Sequence, residues 1–230
     1  MEPTTTDAIG FVEHVTQSGG FENLAQPLQV ALFMGGLSLL SIALVCLTAF
    51  TRIVIVLSFV RRALTTQEIP PTPVLLGLAM FMTLFVMGPT IDAINARAIG
   101  PYFSKEISGS DAVRASSDEL HHFLLRHTRR QDLALFIHMS AMEPPQTAEE
   151  TPMRILIPSF MISELKTAFI MGFGLYIPFL LIDLVVSTVL MSLGMMMMPP
   201  VVISTPFKIL LFVLVDGWHL IARALASSFG

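Results

Sequence analysis

The sequence predicts an all-α, membrane-associated fold of helical hairpins that carries a small helical extracytoplasmic insertion. Three observations predict it. The 230 residues are 53% hydrophobic and only 13% charged, against about 25% charged for an average soluble domain, and mean hydropathy is +0.74. Two stretches hold no charged residue, 29 residues from Asn23 to Thr51 and 23 from Ile69 to Ile91, and each exceeds the ~20 residues a helix needs to cross a hydrocarbon core. Between the apolar parts, residues 92–154 hold 16 of the 30 Asp, Glu, Lys and Arg residues.

In chain order, residues 1–27 form an acidic segment with Glu2, Asp7, Glu13 and Glu22 and no Lys or Arg. A secretory leader begins with a basic region, and none is visible here. Either the first apolar segment also serves as the insertion signal, or a processed leader precedes the sequence. Residues 28–91 read as a first hydrophobic helical hairpin. Its connection carries Arg61 and Arg62, with Arg52 just before them, so the positive-inside rule places 61–73 on the cytoplasmic side. The acidic N-terminus and the polar insertion, residues 92–154, then face outwards. Within the insertion, Leu120, Phe123, Leu124, Leu133, Phe136 and Ile137 recur among charges as in short amphipathic helices. Glu143 to Pro152, with Pro144 and Pro145, reads as a loop.

Residues 155–230 form a second hydrophobic hairpin, and its tip is the most informative segment of the chain. Gly194 is able to leave a helix, and Pro199 and Pro200 do not continue one. Between them stand Met195, Met196, Met197 and Met198. Methionine is unbranched and polarizable, which suits a surface that seals and then re-packs. Repeated around an axis, such a loop, 194–200, makes a soft hydrophobic constriction. Helix parity puts it on the same side as 61–73.

Arg52, Asp183, Lys208 and Asp216 lie in or beside these apolar helices, where ionisable groups are expensive and usually face a partner or a watery path. Pro178 and Pro206 free backbone groups that need protein or water. Helices of this pattern pack better inside an oligomer than alone in lipid. If the last two apolar helices are antiparallel about residue 197, Asp183 faces the turn containing Lys208, so the two are candidates to pair. Glu164 and Lys166 sit where the polar insertion re-enters the apolar region and are candidates for subunit–subunit ion pairs. Ser163 and Lys166 also match a Ser-x-x-Lys pattern, but no Ser-Asp-Asn or Lys-Thr-Gly element accompanies it. His121, His122 and His127 lack the spacing of a metal site, and Cys46 is the sole cysteine. Gly172 and Gly174 read as close-packing positions, and Trp218 as a packing residue. No metal, cofactor, nucleic acid or catalytic constellation is expected, and a net charge of −4 offers no basic patch.

The runs Thr48-Ala-Phe-Thr-Arg-Ile-Val-Ile-Val-Leu-Ser-Phe, Ile157-Pro-Ser-Phe-Met-Ile-Ser-Glu-Leu-Lys-Thr-Ala-Phe and Tyr176-Ile-Pro-Phe-Leu-Leu-Ile-Asp-Leu-Val-Val resemble the FliP family. So does Leu190 to Trp218, with Gly-Met-Met-Met-Met-Pro-Pro, Ile-Ser-Thr-Pro-Phe-Lys and Leu-Val-Asp-Gly-Trp. The resemblance implies a subunit of the flagellar type III export gate in the bacterial inner membrane. It further implies a pentamer-like homo-oligomeric ring with FliQ-type and FliR-type proteins, completed by FlhB-type and FlhA-type components, that passes unfolded export substrates. By the same resemblance, Met195–Met198 correspond to a methionine gasket. The alternatives are a virulence-type injectisome subunit, a small-solute secondary transporter and an intramembrane hydrolase. The Pro-Pro and Val-Asp-Gly-Trp elements favour the flagellar branch.

Overall fold

In a computed structural model that describes residues 26–65, 69–140, 145–195 and 198–230, every regular element among those residues is helical. Helix α1 spans Gln26–Leu47, α2 Phe50–Ala63 and α3 Thr72–Ile94. A π-helical turn, Asn95–Ile99, carries α3 into the short α4, Gly100–Phe103. Then follow α5 (Gly109–His127), α6 (Arg130–Met139), a 3-10 turn at Ala148–Glu150, α7 (Met153–Ser192), α8 (Pro200–Leu214) and α9 (Gly217–Ser227). The described residues fall into two compact units, 26–46 with 89–123, and 47–88 with 124–230.

The first apolar run is not one helix. It breaks at Thr48 and Ala49, where the Thr48 hydroxyl accepts the Phe50 N–H at 3.3 Å. A side chain that competes for backbone donors makes such a break possible. In the smaller unit, Ser38 and Ser41 return their hydroxyls to the carbonyls of Met34 and Leu37, which satisfies polar atoms on an otherwise apolar α1. The π turn lies just before Pro101, whose ring has no N–H to give and crowds the preceding turn. Ser108 caps α5, accepting the Asp111 N–H at 3.2 Å. Arg97 pairs with Glu119 on α5.

The larger unit is built on α7. Helix α2 buries Ile53, Val56, Leu57 and Val60, one helical stripe, against the N-terminal half of α7, which buries Leu156, Phe160, Ser163, Glu164 and Ala168. Gly172 makes the close approach possible, since a Cβ there would lie 2.6 Å from the Phe59 ring. Gly174 has open space around it. Helix α6 packs on the same half of α7. There the Ser163 hydroxyl accepts the Arg129 N–H at 3.0 Å and donates to Asp132 at 2.8 Å. Helix α8 returns antiparallel along the C-terminal half of α7, and α9 turns away from α8 by 63°. Asp216, at φ +50°, makes that bend, and Gly217 lets the Phe212 ring lie against the backbone.

Two described helical stretches, Thr72–Phe103 and Met153–Ser192, are long and apolar enough to cross a membrane. At 1.5 Å per residue α7 is about 60 Å long, roughly twice a hydrocarbon core. Burial divides α7 in the same way. Its first half is wrapped by α2 and α6, whereas Leu180, Leu184, Val185, Val189 and Met191 in the second half are exposed.

Candidate functional site

The tip of the α7–α8 hairpin is shaped by its glycine and prolines. Gly194 takes φ +74°, the left-handed region that favours glycine. Its N–H donates to Met191 O at 3.1 Å, and the Met195 N–H donates to Leu190 O at 3.0 Å. These two bonds are the Schellman pattern that satisfies the last carbonyls of a helix. Pro199 then stands before α8, and Pro200 is its first residue, where a missing N–H is harmless. Both ends of the loop are therefore fixed by backbone chemistry. Met195 is 40% exposed and Met198 43%, and Met196 and Met197 lie outside the described residues.

Behind the tip, the hairpin is cross-linked by charge. Lys208 Nζ donates to Asp183 Oδ2 at 2.6 Å, and Ser204 Oγ donates to Asp183 Oδ1 at 2.6 Å. Lys208 is only 1% exposed, while Asp183 is half-buried. Phe179 and Phe212 meet with ring centroids 6.4 Å apart and planes tilted by 43°, one turn further from the tip. The Asp183 carboxylate thus holds two residues one turn apart on α8, which fixes the register of the two helices. Next to this clamp, Thr65 at the end of α2 shares a 2.8 Å hydrogen bond with Thr205. The Arg61–Thr65 end of α2 and the α8 residues nearest the tip therefore lie together.

At the opposite end of α2 sits a second, more deeply buried charge cluster. Arg52 Nε donates to Glu164 Oε2 at 2.8 Å, and Arg52 Nη2 pairs with Oε1. Nη1 donates to both the carbonyl and the hydroxyl of Ser228 at 2.9 Å. The guanidinium lies 3.7 Å over the Phe229 ring, and the His127 Nε2–H donates to Phe229 O at 3.3 Å. Glu164 has no exposed surface and Arg52 is 3% exposed. One planar fork thus ties α2, α7 and the segment after α9 into a single core, a geometry open to arginine and not to lysine.

The structure brings Asp183 to Lys208, but it couples Glu164 to Arg52 and leaves Lys166 exposed two residues away. The Asp216 side chain is also exposed, and its backbone forms the α8–α9 bend. Trp218 is edge-on to Phe212 at 5.3 Å. Ser228 and Phe229 carried no signal in the sequence, and His127 was weighed only against a metal site, because their partners stand at distances in the chain that no helical period connects. Among the described residues, no three His, Cys, Asp or Glu side chains converge on one point.

Residues 33–225 match the sequence profile of the FliP family. The chain is 49% identical over 216 residues to the flagellar biosynthetic protein FliP of Bacillus subtilis strain 168, covering 94% of this chain and 98% of that one. The protein of the same name from Pectobacterium carotovorum subsp. carotovorum is 47% identical, over 96% of this chain and 85% of its own. That of Aquifex aeolicus strain VF5 is 44% identical, over 91% and 89%. A match across nearly the whole length, on a helical fold with membrane-length segments, places this chain in the FliP family.

Proposed function

We propose that this chain is the pore-forming core subunit of a flagellar type III protein export gate, and that Met195–Met198 from neighbouring protomers close its conduit. Family membership makes it a membrane protein of flagellar biosynthesis and export. The finer reading places it in the inner membrane with a large extracytoplasmic part, in a pentamer-like ring with FliQ-type and FliR-type proteins. FlhB-type and FlhA-type components would complete the path for unfolded substrates.

One observation carries the reading: a four-methionine loop whose two ends are fixed by a Schellman turn and a double proline. A constriction that admits any unfolded chain needs side chains without sequence preference. They must also exclude water and ions when no chain is present. Thioethers on flexible stems meet both needs, because they pack against each other or against whatever passes. The fixed loop ends would set the place of the constriction. The Asp183–Lys208–Ser204 clamp keeps the two helices from sliding, so that the loop stays at one height. The exposed apolar C-terminal half of α7 is the surface that neighbouring protomers would cover.

The test is the replacement of Met195–Met198 by alanine in the assembled complex. The expected result is a ring that assembles and still passes substrate but leaks small ions across the membrane, read as loss of membrane potential or uptake of a small dye. A substituted complex as tight as the original would overturn the gate assignment.

A further inference from the structure

We propose that Thr65 is a releasable catch on the α7–α8 hairpin, an inference that rests on the gate reading of that hairpin and adds what holds it shut. Thr65 follows Leu64, the residue that caps α2. Its N–H donates to Arg62 O at 3.0 Å, and its backbone takes φ +56°. That position usually belongs to glycine, and a β-branched residue in it is a genuine steric outlier. Strained residues persist where the surrounding structure holds them, and they gather at switch regions. The side chain supplies a reason for threonine here. Thr65 Oγ1 lies 2.8 Å from Thr205 Oγ1, in the part of α8 between the methionine loop and Lys208. Glycine would relax the backbone and lose that bond.

The bond is built to exchange. Thr65 Oγ1 is also 2.7 Å from Leu64 O, and Thr205 Oγ1 is 2.7 Å from Val201 O. Each hydroxyl carries one proton, so two protons serve three contacts. The link between the helices is made only while one hydroxyl leaves its own carbonyl. On release both protons return to local carbonyls, and neither hydroxyl is stranded. The two parts that the link joins differ in how they are held. The α2 end is fixed, with Ala63 and Leu64 buried and Arg61 Nη1 donating to Thr72 Oγ1 at 2.9 Å. The far half of α7 is exposed at Leu180, Leu184 and Val185. Pro178 has no N–H for the Gly174 carbonyl, a common cause of helix bending, and Gly174 has open space around it. Asp183 joins α7 to Ser204 and Lys208, so the tip beyond Pro178 swings as one piece, and Thr65 is the point on α2 to which it latches.

The experiment uses the complete complex in sealed vesicles, and reads the resting leak of a small ion and the denaturing-detergent midpoint for each variant. Thr65→Gly relieves the strain while removing the hydroxyl. It should leave the midpoint equal or higher and yet raise the leak about fivefold, the equilibrium shift that the net worth of one hydrogen bond corresponds to. A residue with a merely structural role would not separate the two readings in this way. Thr65→Val and Thr205→Val should leak alike, the double variant no more than either alone, and Thr65→Ser should stay tight. In a Cys46→Ser background, Thr65→Cys with Thr205→Cys should oxidise to a disulfide that stops substrate export in cells until a reductant is added. A Thr65→Gly complex as tight as wild type would overturn the proposal. So would the failure of the cysteine pair to form a disulfide, or export that continues once it has formed. Met195–Met198→Ala is the control: a leak there with none from Thr65→Gly overturns the catch alone, and no leak from either overturns the gate reading with it.

Discussion

Replacing Arg52 by alanine should be among the most damaging single changes in this chain. The substitution leaves Glu164, which has no exposed surface, without its bidentate partner. It also removes the two hydrogen bonds that Arg52 Nη1 donates to Ser228 and the cation over Phe229. Removing one partner of a buried ion pair typically costs about 3–5 kcal/mol, because the remaining charge stays buried. Replacing both partners by apolar residues of similar size removes that penalty, as in Arg52→Met with Glu164→Leu. What remains is the loss of the Ser228 bonds, about 1 kcal/mol each. The double variant should therefore lose only ~2 kcal/mol, far less than the sum of the two single changes. The assay is loss of helical circular dichroism in the detergent-extracted protein as a denaturing detergent is titrated in. Measured on wild type, both single variants and the double variant, it yields the coupling between the two sites. Additive losses would show that the two side chains do not share one buried interaction, and the reasoning from this cluster would fail.

Two further predictions concern glycines. Gly194→Ala places a Cβ in the left-handed region but meets no atom within 4 Å. It should cost roughly 1–2 kcal/mol through backbone strain alone, seen as a lower midpoint in the same titration, and Gly194→Asn should cost less. Gly172→Ala drives a methyl into the Phe59 ring and should cost about 1–3 kcal/mol as overpacking. Gly174→Ala, in open space two residues away, should be neutral or stabilising by up to about 1 kcal/mol. Equal effects at 172 and 174 would contradict the α2–α7 packing described above.

Much of this was legible in the sequence for identifiable reasons. Uncharged runs as long as a bilayer is thick announce helices whatever packs on them, and Gly194 with Pro199 and Pro200 announces a turn by backbone rules. Hairpin geometry made Asp183 and Lys208 candidates to pair, since position 183 falls opposite the turn containing Lys208, and the structure joins them. The Arg52 cluster did not follow. Glu164 stands 112 residues from Arg52 and Ser228 a further 64, and only the tertiary fold closes such distances. The break at Thr48–Ala49 was hidden as well, because the uncharged run continues through it to Thr51, although α2 beyond it is amphipathic toward α7 and much less apolar than α1. The polar onset at Asp92 likewise gave no sign that the helix begun at Thr72 continues through a π turn to Phe103.

The central claim is that methionines from adjacent protomers meet on a shared axis. It is tested most directly by cysteines at 196 or 197, introduced singly in a Cys46→Ser background and oxidised in the assembled complex. Disulfide-linked dimers of this chain are predicted at both positions, with none from a control cysteine at the fully buried Ala168 on α7. An intact complex that yields no dimers from either position would contradict the claim.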